Sequence, residues 1–217
     1  MQRILYTLLL SLAVLLQVEA QTPMRDWLAS MPDSVMPLLV KNRRLDLIDF
    51  YDAKMEATVA NLLEGKSHLE VLTDDFMQLS YTGTSAISMK LLPVNDTTDI
   101  LCMVTTMKTQ GSVAIHDSRI AFFDEAWNPL DATTYISEPR IEDFRLDVQS
   151  DSAQVAWGKL NIFFRAYQLS AESTMLKCVL TVPDYLSSDE REAVKPYVRQ
   201  EPLTYRWING RYVCDEQ

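Results

Sequence analysis

The apolar period of this chain changes once, near Ser67, and that change constrains the fold more than any other feature. Before it, Met24, Trp27, Leu28 and Met31, and then Leu45, Ile48, Tyr51 and Met55, recur at helical spacing. After it, apolar residues alternate or run together in short blocks: Leu79–Tyr81, Ile87–Val94, Ile100–Met107 and Ile120–Trp127, then Leu160–Leu169, Met175–Val182, Leu203–Ile208 and Arg211–Cys214. Helices followed by strands on short turns predict an α+β fold, with N-terminal helices packed on an antiparallel β-meander. The strand from Ile100 is apolar on both faces, which suits a central, covered position.

Punctuation residues set the expected boundaries. Thr22-Pro23 opens the first helix and Pro32-Asp33-Ser34 ends it, with Ser34 capping a short turn through Leu39. A second helix is expected from Arg43 to about Leu63, closed by Gly65. Asn95–Thr98 reads as a hairpin loop, and Asp131–Ala153 as a polar separator. Ser187-Ser188-Asp189-Glu190 is a capping box opening a helix that Pro196 kinks or ends. Asn209-Gly210, between apolar flanks, specifies a tight hairpin. A helical segment, 21–66, and a sheet region, 67–217, are expected to form one integrated domain.

The strand blocks at about 79–130 and 160–214 follow a similar order, which raises an internal repeat of two similar halves. Cys102/Thr105 and Cys178/Thr181 share a spacing, and Trp127-Asn128 and Trp207-Ile208-Asn209 each precede a turn. Two generic amphipathic sheets matching by chance is the competing reading.

The N-terminus carries a separate message. Arg3, the apolar run Ile4–Leu16 and Val18-Glu19-Ala20 have the three-part pattern of a signal peptide over residues 1–20. The run is thirteen residues long, short of the roughly 20 that span a bilayer. The expectation is a periplasmic or secreted protein, cleaved near Ala20, with no stable membrane insertion afterwards. Thirty acidic against 20 basic residues give a net charge of −10, which argues against nucleic acid or anionic lipid as a partner.

Candidate chemistry is sparse. Asp46, Asp49 and Asp52 repeat every three residues on an expected helix, so neighbouring carboxylates approach one another. Such a row either faces water or, held together, could bind a hard cation such as calcium, although the loop and turn glycine of an EF-hand are missing. His116-Asp117 lacks further ligands to complete a metal site. No Walker, dinucleotide, Gly-x-Ser-x-Gly or His-Glu-x-x-His motif calls for a cofactor or a catalytic set. Of the three cysteines, Cys102 lies in an apolar run, leaving Cys178 and Cys214 as the disulfide pair to test. Trp127, Tyr205, Trp207 and Tyr212 sit at expected hairpin ends; they either form a binding platform or pack in the core.

Several short stretches carry a resemblance: Pro37-Leu38-Leu39, Arg44-Leu45-Asp46-Leu47-Ile48-Asp49-Phe50-Tyr51, Leu91-Leu92-Pro93, and Asp117-Ser118-Arg119-Ile120 followed by Trp127. In these the chain resembles an exported Bacteroidales family that carries a domain-of-unknown-function label. The resemblance spans nearly all of the mature chain and implies a cell-envelope location, but it transfers no activity and no site. The functional expectation is a non-catalytic binding or interaction module for an envelope protein, peptide or glycan. The alternative is a carboxylate-based hydrolase acting on envelope glycans or peptides.

Overall fold

Leu101 and Cys102 are neighbours in one strand, yet they enter different hydrophobic cores. That single observation gives the architecture: one sheet is covered on both of its faces. The computed structural model describes residues 21–109 and 116–215. Its main sheet is a seven-stranded antiparallel meander in sequence order, β1 (Thr58–Ala60), β2 (Lys66–Leu72), β3 (Phe76–Thr82), β4 (Ser85–Pro93), β5 (Asp99–Lys108), β6 (His116–Phe123) and β7 (Pro129–Leu130). A second antiparallel sheet has the order β11-β10-β9-β8, from β8 (Arg165–Leu169), β9 (Leu176–Leu180), β10 (Leu203–Ile208) and β11 (Arg211–Cys214).

Side chains alternate across a strand, so Met89, Leu91 and Leu101 point one way while Leu92, Ile100, Cys102 and Val104 point the other. The first set meets helix α1 (Met24–Ser30) and helix α2 (Lys41–Asp52) through Met24, Trp27, Leu28, Leu47 and Ile48. The second set meets Tyr167, Leu176, Cys178, Leu203, Tyr205 and Tyr212 of the smaller sheet. The layers are therefore helices, long sheet, short sheet. The fold class is the α+β arrangement that the change of period implies.

Several boundaries differ from expectation. α2 stops at Asp52 rather than near Leu63, because Lys54 turns left-handed (φ 55°). Lys54 N–H then donates to Tyr51 O, and Met55 N–H to Phe50 O, which is the Schellman pattern without its usual glycine. Gly65 serves elsewhere, in the β1–β2 turn, where Asn61 Oδ1 accepts from Gly65 N–H (3.1 Å) and Leu63 N–H. Strands β1 and β2 replace the expected end of that helix and the segment after it. The polar separator contains a helical turn, α3 (Ala132–Tyr135), and leads into α4 (Asp151–Trp157), which Ser150 caps through Ala153 N–H. The predicted capping box is present: Ser187 and Glu190 open α5 (Ser188–Val194), which gives way to a 3₁₀ turn at Lys195-Pro196-Tyr197. Asn209 and Gly210 both have positive φ (50° and 77°), as the two-residue hairpin requires.

Of the motifs that suggest a repeat, Cys102 and Cys178 each lie within a strand facing the core between the sheets, while the two Trp positions differ. Trp127 lies in a turn beyond the end of β6 with φ 63°, whereas Trp207 lies within β10. The segment 1–20, with the expected signal peptide, lies outside the described residues.

Candidate functional site

The second sheet ends on β11, and the unpaired side of that strand shapes a broad concavity. Asp215 N–H donates to Thr204 O (2.8 Å), which fixes the alternation along the antiparallel pair. Residues 211, 213 and 215 turn their backbone groups toward β10, while Tyr212 and Cys214 turn theirs outward. Ile136 meets Tyr212 there in one isolated parallel bridge. The next rung would need the N–H of residue 139, which is proline and has none. The segment after Ile136 therefore leaves β11, and a cleft of about 900 Å³ opens between Ser137–Asp143 and the strand.

Tyr205, Tyr212, Leu203 and Cys214 line its apolar side, and Arg140, Arg199, Arg211, Glu138, Asp143 and Asp215 its polar side. The acids are engaged by other groups. Glu138 pairs with Arg165, Asp215 Oδ2 accepts from Arg206 Nε (3.0 Å), and Asp143 Oδ2 accepts from the Arg140 backbone N–H (2.7 Å). Among the described residues, neither Arg140 nor Arg211 enters an ion pair.

The sequence candidates fall in different places. Trp127 is buried in the helix-side core, edge-on to Trp27 with ring centres 5.5 Å apart, and its indole N–H donates to Ser30 Oγ. Tyr205 and Tyr212 are buried in the sheet–sheet core. Trp207 is partly open; its indole N–H donates to Pro93 O (2.7 Å), and its ring packs on Tyr212 (4.9 Å) and Tyr135 (6.3 Å). The four rings thus form no common exposed platform, because the long sheet separates Trp127 from the others. Tyr205 and Tyr212 nonetheless reach the cleft as part of its lining.

All three cysteines are free thiols, so the Cys178–Cys214 disulfide is corrected. Cys178 on β9 lies opposite Leu203 and Cys214 on β11 lies opposite Tyr205, with β10 between them. Two strand spacings are about 9.6 Å, beyond the roughly 7 Å that a disulfide can bridge between Cα atoms. Burial pushes the Cys178 thiol up to about 12 and the Cys102 thiol higher still, while burial and then Asp215 raise Cys214. Thiols held protonated in this way are poor nucleophiles. His68 Nδ1 lies 2.9 Å from Thr58 Oγ1, and at His116 it is the backbone carbonyl that accepts from Thr181 Oγ1.

Asp46, Asp49 and Asp52 do share one stretch of α2, but Asp46 pairs with Arg43 (3.6 Å) and Asp52 with Arg25 (2.7 Å). Among the described residues no group of three His, Cys, Asp or Glu side chains is placed to hold a metal ion. The basic run Lys41-Asn42-Arg43-Arg44 is not a uniform surface patch, because Arg44 is fully buried. Its guanidinium donates to the carbonyls of Leu28, Met31 and Leu39 and to Asp33 Oδ1 (2.9 Å). No helix among the described residues is long and apolar enough to cross a membrane. Sequence reading missed the cleft itself; Pro139, which forbids the next rung, was the available signal.

A family described as Protein of unknown function (DUF3256) matches residues 15–212. The chain belongs to this family. A solved structure of a domain of an uncharacterized protein from Porphyromonas gingivalis W83 is similar to it, at 30% identity and a TM-score of 0.78. That alignment covers 90% of this chain and 100% of the other. No curated protein matches the chain.

Proposed function

We propose that this protein is a non-catalytic interaction module of the bacterial cell envelope, and that its ligand is an extended polypeptide segment lying along β11. The observation that carries the reading is the open edge: the outward backbone groups of Cys214 face a cleft that Pro139 prevents the chain from filling itself. Edge strands of this kind bind peptides by adding a strand, with main-chain hydrogen bonds supplying affinity. The buried rings of Tyr205 and Tyr212 form part of the apolar side of the cleft. Envelope location rests on the segment Ile4–Leu16 and the small residues ending at Ala20. Glu138 and Asp143 are bound to partners rather than facing each other as a free acid and base, which favours binding over glycoside or peptide hydrolysis.

The test places a photo-crosslinking residue at Val213, at the cleft, or at Glu64, in the β1–β2 turn of the other sheet, in cells making the full chain. A reproducible adduct is expected from position 213 and not from 64. It should disappear with Cys214→Pro, which removes the outward N–H and is tolerated on a free strand edge, and survive with Cys214→Ala. Equal adducts from both positions, no adduct from either, or an adduct indifferent to Cys214→Pro would overturn the reading.

A further inference from the structure

We infer that the segment this cleft accepts carries a carboxylate, an Asp or Glu side chain, and that Arg140 and Arg211 read it. The inference rests on the strand-edge reading above and adds its chemical class. Three acids line the cleft, and each is engaged with another group: Glu138 with Arg165, Asp215 with Arg206, Asp143 with the Arg140 backbone. Arg140 and Arg211 are exposed, lie on the cleft lining and have no ion-pair partner among the described residues. The locally uncommitted charge is therefore positive, in a chain whose net charge is −10.

A carboxylate brought into a partly dehydrated cleft must find a charged partner or give up its solvation at a cost. Guanidinium groups meet it with paired donors in a fixed fork. A long polyanion is disfavoured, because its remaining charges would lie against an acidic surface within about a Debye length, ~8–10 Å. A short acidic stretch in an otherwise apolar or neutral extended peptide satisfies both conditions. Its main chain takes the place beside Cys214 that the segment after Ile136 vacates. Its carboxylate takes the place between the two arginines' sides of the cleft.

The experiment uses the chain from Gln21 and a displayed library of random dodecapeptides. Enriched sequences are then synthesised with Glu or Asp, and again with Gln or Asn. Enrichment of acidic residues is expected, with binding weakened about tenfold or more by the Gln/Asn peptide or by Arg211→Gln, and weakened by added salt. The double variant Arg140→Glu/Arg211→Glu should switch enrichment to Lys and Arg, a gain that an unfolded protein could not show. Peptides that bind and are lost with Cys214→Pro, yet show no acidic preference and ignore both arginine changes, would overturn the carboxylate inference alone. Failure to enrich any peptide sensitive to Cys214→Pro would overturn the strand-edge reading together with it.

Discussion

Replacing Arg44 by methionine tests the account of the helical layer most directly. The methionine keeps much of the side-chain length and removes only the donors and the charge. Arg44 is fully buried and uses its N–H groups on the carbonyls of Leu28, Met31 and Leu39 and on Asp33. Leu28 and Met31 lie at the C-terminal end of α1, where carbonyls have no partner within the helix. Arg44 therefore reaches from α2 to close α1 and ties the intervening loop to both. The Asp33 partner is half exposed (54%), so that ion pair adds little. The carbonyls decide the outcome. Leaving a buried polar group unpaired costs about 1–3 kcal/mol, and because the three carbonyls are bonded by separate N–H groups of one side chain their costs do not simply add. We expect Arg44→Met to lose about 3–5 kcal/mol, within the range for breaking a buried charged network. In a chain of this size that lowers the melting temperature by about 6–20 °C. Asp33→Asn should cost less than about 1 kcal/mol. Thermal and urea melts followed by circular dichroism give both numbers. An Arg44→Met protein melting within a degree or two of the parent would refute the argument.

The remaining expectations concern thiols, a turn and a cap. Three thiols per chain should titrate with a disulfide-exchange reagent in urea, and Cys102 and Cys178 should resist it in the native protein; recovery of a single thiol would restore the Cys178–Cys214 bridge. The folded state keeps the Cys178 proton up to about 12 while the unfolded chain releases it near 9, so its contribution is full below that lower value and is lost as pH rises to the upper one. Urea midpoints should accordingly fall across that alkaline window, and a Cys178→Ala protein should show a shallower fall. Gly210→Ala should destabilise by about 1 kcal/mol, because φ is +77° while Val94 is no closer than 3.8 Å to the added carbon; a neutral result would mean the turn is not of the left-handed type. Ser187 and Lys159 hold the Glu190 carboxyl below its ordinary range. Its contribution is present above that range and lost as pH falls from it through the lowered value of the folded state, so Glu190→Gln should flatten the acid limb of the stability curve.

How much was legible follows from where each signal resides. The two-sided apolar strand at Ile100, the Ser187–Glu190 capping box and the Asn209-Gly210 turn are legible because each is specified within a few residues. The end of α2 is not: Lys54 supplies a left-handed cap that sequence normally advertises with glycine. Arg44 looks like surface charge in the sequence, since its three carbonyl partners are set by the path of residues 28–39 around it and not by its neighbours in the chain.

The amino-acid sequence by itself determined the α+β class, the helix-then-strand order and the local turns, because periodicity and backbone preference act over one or two turns of chain. Tertiary structure decided the rest. It placed Trp127 and Trp207 on opposite sides of one sheet, set β10 between Cys178 and Cys214, and opened a cleft where Pro139 leaves β11. Each of these depends on which strands become neighbours, and strand neighbourhood is fixed only when two faces of a sheet find their separate covers.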